Sequence, residues 1–279
     1  KHIILKRRLY NKGGNRMKLI AVDAGHGMNT AGKRTPMFSD GTIMKENEFN
    51  RATADYLVKA LNRNGFKTIL TAPDILDTPL QKRVQRANDA KADAFICIHA
   101  NAYGDDWNNA NGIESWIYEK SNQNTIHFAE DIQKELIAFT NRKNRGIKKS
   151  SDLYVLRTTN MMAVLVECGF LTNLEEATLL RSEKYRKECA EGICKGICKY
   201  YNMPYKLEQQ DDNTEKKELY CCEKRYQNVN QLPYGKEVIQ MLIDKGILKG
   251  NEKGDLDLTL DMVRLFMILN RIDAFEKIK

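Results

Sequence analysis

The sequence predicts an α/β fold: a largely parallel twisted sheet flanked by helices, with a small, mainly helical C-terminal domain. Three observations predict it. From Met17 onward, short apolar runs of strand length alternate with longer stretches whose apolar residues recur every three to four positions. At 279 residues and 42% hydrophobic, the chain suits one large core with a small companion and is too apolar for a mostly disordered protein. Residues 206–218 (KLEQQDDNTEKKE) hold one apolar residue in thirteen, the composition of a solvated linker. The expected organisation is therefore a basic leader over 1–16, an α/β domain over 17–204, a linker over 205–218 and a small domain over 219–279.

Each element has a local reason. Residues 18–23 (KLIAVD) form an apolar run ending in Ala24-Gly25-His26-Gly27, and the Gly-, Thr- and Lys-rich stretch 28–45 reads as a loop. Residues 46–64 place Phe49, Ala52, Ala54, Leu57, Ala60 and Leu61 on one helical face, and Gly65 follows as a C-terminal glycine would. Next come an expected strand at 66–71, a helix at 80–90, strands at 94–99 and 113–118, and a helix at 125–139. Strands are expected at 153–157 and 164–167, then helices at 174–181 and 183–201. In the tail, the run 238–250, then Gly254-Asp255, then a helical run over 259–270 predict a helix, a glycine-ended loop and a second helix in one compact unit.

Charge narrows the partners. The formal charge is +8, but +6 of it lies in residues 1–16, which contain no acid. Residues 205–279 carry a net −1, so nucleic acid is not an expected partner. No apolar run approaches the ~20 residues of a membrane span, and Ile3-Ile4-Leu5 is too short for a signal-peptide core. Lys12-Gly13-Gly14 can be encoded by a purine tract of ribosome-binding type. Residues 1–16 are therefore read as a translated leader, with Met17 as the natural start. Seven cysteines, an odd number, argue against a disulfide framework and for synthesis in a reducing cytoplasm. Cys97 and Cys168 read as buried apolar residues, and Cys221-Cys222 as a reduced vicinal pair.

Only four histidines occur, and two of them, His26 and His99, follow the ends of expected strands. In open α/β sheets, those ends line the ligand crevice. Two imidazoles and one carboxylate make a zinc site with an open position for water, and Glu46, at the start of the first helix, is the candidate carboxylate. Glu167 ends the apolar run Val164-Leu165-Val166, where a carboxylate is costly unless used or paired. Beside a metal it could act as general base. Each residue also has an ordinary reading. The histidines could be satisfied strand-end residues, Glu46 a first-turn acid, and Glu167 an ion-pair partner of Arg157. His127 reads as a surface residue of an amphipathic helix.

Taken in order, several blocks resemble the zinc-dependent N-acetylmuramoyl-L-alanine amidases of bacterial autolysins and phage endolysins. They are Ala24-Gly25-His26-Gly27; Glu46 with Asn50; Leu80, Arg83 and Ala87-Asn88; Cys97-Ile98-His99-Ala100-Asn101; Gly112-Ile113-Glu114; Arg145-Gly146; and Leu165 to Asn173. The resemblance covers about 17–202. It implies zinc held by His26, Glu46 and His99, a catalytic Glu167, and hydrolysis of the amide joining N-acetylmuramic acid to L-alanine in peptidoglycan. Asn50 and Asn101 are candidate substrate contacts. Thr71-Ala72 and Met161-Met162 depart from the family pattern, away from the metal set.

The tail looks like one S-layer-homology-like repeat and implies cell-wall targeting, with secondary wall polymers as further partners and a homodimer left open. A phage or prophage endolysin acting on the wall after release is the leading expectation. A host autolysin of the same chemistry and a zinc peptidase cutting within the peptide stem are its rivals.

Overall fold

The computed structural model describes residues 16–208, 226–232, 235–249, 256, 258 and 260–271. Apart from Arg16, the expected leader lies outside the described residues, as do most of the expected linker and Cys221-Cys222. The chain divides into two compact units, 1–208 and 209–279. The first runs four residues beyond the expected boundary at 204. The amide side chain of Asn64 donates to the Lys206 carbonyl (3.1 Å) and accepts from its N–H (2.6 Å), tying this tail to the end of the first helix.

The first unit carries, in chain order, β1 (Leu19–Ala24), α1 (Glu46–Arg63), β2 (Lys67–Leu70), α2 (Leu80–Asp89), β3 (Ala94–Asn101) and β4 (Ile113–Tyr118). It continues with α3 (Gln123–Thr140), β5 (Asn144–Ser150), α4 (Tyr154–Thr158), β6 (Met162–Phe170), α5 (Leu174–Arg181) and α6 (Glu183–Tyr200). The six strands lie in the order β2-β1-β3-β6-β4-β5. Every pairing is parallel except β4 with β6. After β2 the chain returns to the other side of β1 to lay down β3, so the strand order reverses between β1 and β3. That reversal opens a crevice at the carboxyl ends of these two strands.

Both faces of the sheet are covered. On one, Phe49, Leu57 and Leu61 of α1, Phe128 and Ile132 of α3, and Ile193 and Ile197 of α6 bury against Ile20, Val22, Ile96 and Val164. On the other, Val84 and Ala87 of α2, with Val155 and Leu156 of α4, bury against Ala21, Phe95 and Leu165. A strand buried on both faces needs apolar residues in succession, which explains the unbroken run Phe95-Ile96-Cys97-Ile98. Each fully buried large side chain contributes on the order of 2–3 kcal/mol. Gly192 and Gly196 let α6 close on α3: an added Cβ would lie 2.7 Å and 2.5 Å from the Leu136 and Ile132 Cα atoms.

Two expectations are corrected. Residues 153–157 are not a strand: Tyr154–Thr158 forms the short helix α4. Its aromatic and β-branched residues suit a strand locally, but Val155 and Leu156 are adjacent and both bury on the second sheet face, which a helical turn allows and strand alternation does not. The missing strand is β5, whose sequence NRGIKKS is mostly polar. It lies at the sheet edge, where Lys148 and Lys149 discourage pairing with another chain and where no apolar run is required.

In the second unit, α7 (Lys236–Asp244) is followed by Gly246 at φ +68° and by α8 (Leu260–Arg271). Ile239, Leu242 and Val263 form a small core with Tyr226, Leu232 and Leu258. No helix among the described residues is long and apolar enough to cross a membrane.

Candidate metal centre and active site

His26 follows the end of β1, and His99 lies within β3 on the neighbouring strand. Glu46 is the first residue of α1. That helix starts where it does because Glu48 accepts the Lys45 N–H (2.8 Å) and because two acids occupy its first turn, where the helix dipole favours them. The three side chains meet in the crevice between β1 and β3. One Glu46 oxygen, Oε2, lies 3.3 Å from His26 Nε2, and the other, Oε1, lies 2.9 Å from His99 Nδ1. The imidazole rings stand edge to face with centroids 4.9 Å apart. One ligand atom from each residue lies within 4.8 Å of the other two.

The close approach depends on Gly25. A Cβ there would fall 2.3 Å from His99 Cε1, far inside van der Waals contact with the imidazole ring. Glu46 is buried and well anchored. Its Oε1 also accepts from the Ala100 N–H (3.2 Å) and from Asn50 Nδ2 (3.1 Å). Burial alone would raise its pKa, but the hydrogen bond and charge of His99, the charge of His26 and the Asn50 bond outweigh burial and bring it down to about 2. Burial lowers His26 to about 4, which keeps its imidazole neutral. Burial also disfavours charge on His99, but the Glu46 hydrogen bond and charge prevail and raise its pKa.

Glu167 lies on β6 in register with His99, on the wall of the same cleft. Its Oε2 is sealed from solvent and has no hydrogen-bond partner. Burial, with the charges of Glu46 and Glu114 added, pushes its carboxyl up to about 8 despite the opposing charge of His99. Arg157 is no partner to it: that side chain donates to the Ser151 carbonyl (2.6 Å) and lies over Tyr154. The cleft has a volume of about 570 Å³. Lys33 and Arg34 stand on its loop side, and Asp105 and Asp106 are also in its lining.

The two candidate substrate contacts separate. Asn101 lines the cleft, and its Nδ2 donates to Glu114 Oε1 (2.9 Å). Glu114 is in turn held by Trp116 Nε1 (3.2 Å) and Arg145 Nε (2.7 Å). Asn50 is corrected: it is fully buried behind Glu46 and bonds the Gly25 carbonyl, so it steadies the site without reaching the cleft. His127 is exposed on α3 beside Gln123, far in the fold from the strand ends that form the crevice. Glu114 belongs to the Gly112-Ile113-Glu114 block, which by itself assigns it no role. Its place opposite Glu167 comes from the antiparallel β4–β6 register, which no local pattern announces.

Two imidazoles, a carboxylate and a partnerless buried carboxyl oxygen nearby fit a zinc ion of catalytic type, in which three protein groups bind and one position stays open. Among the described residues no other group of three such side chains comes together.

Residues 20–199 match the family profile described as N-acetylmuramoyl-L-alanine amidase. The N-acetylmuramoyl-L-alanine amidase LytC of Bacillus subtilis is 34% identical over 184 residues, covering 65% of this chain and 35% of LytC. The endolysin of Bacillus phage SPP1 is 31% identical over 194 residues, 68% of each chain. Among solved structures, an N-acetylmuramoyl-L-alanine amidase from Clostridium difficile 630 superposes with a TM-score of 0.61 at 31% identity. It covers 67% of this chain and 97% of that one.

Proposed function

The chain belongs to the N-acetylmuramoyl-L-alanine amidase family, and on that premise we propose that it hydrolyses the amide bond between N-acetylmuramic acid and L-alanine in peptidoglycan. The observation that carries this reading is the convergence of His26, Glu46 and His99 in one cleft with Glu167 on its wall.

His26, Glu46 and His99 would hold a zinc ion. When bound, zinc supplies a Lewis acid for the amide carbonyl and lowers the pKa of water toward ~7. Glu167 takes a proton from the attacking water and returns it to the departing L-alanine nitrogen, so that water adds across the broken C–N bond. Burial disfavours charge on Glu167, which favours its taking up that proton. Glu114 and Arg145 hold Asn101 at the cleft, where its amide can contact the substrate. The C-terminal unit is assigned to wall targeting. The setting is that of a phage or prophage endolysin, a reading supported by the likeness to the SPP1 enzyme.

Mass spectrometry of digested cell walls tests the reaction. An amidase leaves intact glycan and free L-alanine amino termini, whereas cuts inside the peptide stem or new glycan reducing ends would refute it. Removal of zinc with a chelator should abolish clearing of wall suspensions and added zinc should restore it. Indifference to both would remove the metal from the mechanism.

A further inference from the structure

We propose that Asn47 and Arg83 are positioning residues for His26, acting together as a clamp on the backbone of residues 24–26. The inference rests on the reading of His26 as a metal ligand.

His26 carries a φ of +58°, in the left-handed region that residues other than glycine seldom adopt. Only Gly25 separates the end of β1 from His26, whose imidazole lies 3.3 Å from Glu46. Such a conformation persists where the surroundings over-determine it, and here they do. Side chains take all three carbonyls of the segment. Arg83 donates to Ala24 (2.6 Å) and to His26 (2.8 Å). Asn47 Nδ2 donates to Gly25 (2.9 Å) and again to His26 (3.0 Å). Asn50 adds a second bond to the Gly25 carbonyl (3.0 Å).

Both residues are 1% exposed. Asn47 keeps its acceptor, Oδ1, without a partner, so its bonding consists of what its amide donates to this loop. A buried amide that leaves its acceptor unsatisfied is a net cost unless its donors are needed. Arg83 is fully committed as well. Its remaining donors go to both oxygens of Asp23 (3.1 Å each), to Asp77 (2.8 Å) and to the Thr78 carbonyl (2.7 Å). A planar guanidinium with every donor occupied holds its neighbours in one geometry. Asn47 reaches the loop from α1 and Arg83 from α2, helices that cover opposite faces of the sheet. The turn that presents His26 is thus fixed from both layers of the domain.

The test uses the full chain with Asn47→Ala and Arg83→Lys. The latter keeps a charge opposite Asp23 but loses the planar fork whose separate nitrogens reach Ala24, His26, Asp77 and Thr78 together. Zinc affinity is measured by competition with a chromophoric chelator, and the ligand field by the visible spectrum of the cobalt(II)-substituted protein. Far-UV circular dichroism checks the fold. The expected result is a folded N47A whose zinc affinity drops about 10- to 100-fold, with altered cobalt bands, and a larger loss for R83K. Asn47→Leu, of similar size but without the donor, substitutes for N47A if the latter does not fold. Folded variants with wild-type affinity and spectrum would overturn the clamp. A wild-type protein that takes up no stoichiometric zinc would instead overturn the metal reading, and the clamp with it.

Discussion

Adding one methyl group at Gly25 should disable the site while leaving the fold in place. The backbone there is not in the left-handed region, so alanine meets no conformational penalty, and the effect is purely steric. The new Cβ would stand 2.3 Å from Cε1, 2.4 Å from Nε2 and 2.6 Å from Nδ1 of His99. Carbon atoms in contact prefer about 3.5–4.0 Å, so the ring must retreat by more than ~1 Å. His99 cannot yield that much and keep Nδ1 beside Glu46, since β3 is held by β1 on one side and β6 on the other. Overpacking of this kind costs about 1–3 kcal/mol of stability, which a domain this size survives. A misplacement of ~1 Å in a reacting constellation costs on the order of 100-fold in rate. Gly25→Ala should therefore clear cell-wall suspensions at least ~100-fold more slowly than wild type, with a lower zinc content and a circular dichroism spectrum unchanged. Wild-type clearing by a folded G25A protein would refute the argument that His99 must lie against residue 25.

Other outcomes follow from the same geometry. Glu167→Gln should retain zinc, because the residue is not among the three converging ligands, yet lose roughly 10²- to 10⁴-fold in rate. Metal analysis beside the clearing assay separates the two effects. In the metal-free protein the Glu167 carboxyl rises from an ordinary 4.5 to about 8 on folding. The folded state therefore binds its proton more tightly, and the associated stability, complete below about pH 4.5, is lost as pH rises through about 8. Urea midpoints of metal-free wild type and E167Q should accordingly diverge between pH 5 and 8.5, with the wild type losing more. A parallel pair of curves would contradict the burial assigned to this group. A chain ending after Glu208 should still release L-alanine amino termini but sediment less with purified walls, and equal sedimentation would remove the targeting role. Ending the chain at 204 should also destabilise it, because the Asn64–Lys206 bonds go with the tail.

Much of this protein is legible without coordinates. The strands of the sheet centre are apolar runs because both of their faces are covered, and the helices of the first unit declare their buried faces by period. His26, His99 and Glu167 stand out because a polar, titratable residue at the end of an apolar run needs a reason. The exceptions have physical causes. β5 is an edge strand, so polarity is tolerated and the apolar signal is missing. Residues 153–157 have strand-like composition, but two consecutive side chains must bury on one face, and the chain turns helical to do it. Asn50 is polar and near Glu46 in sequence, which suggests a cleft residue, yet one helical turn along α1 carries it behind the carboxylate.

By itself the sequence determined the fold class, most of the elements and the chemical types gathered at the strand ends, because each depends on local periodicity and on the cost of burying polar groups. Only the tertiary structure decided how they are used. The β1–β3 reversal brings together two imidazoles 73 residues apart, the antiparallel β4 sets Glu114 opposite Glu167, and Asn47 and Arg83 close on the His26 turn from opposite faces. These contacts lie far apart along the chain, and no local pattern encodes a distance across a sheet.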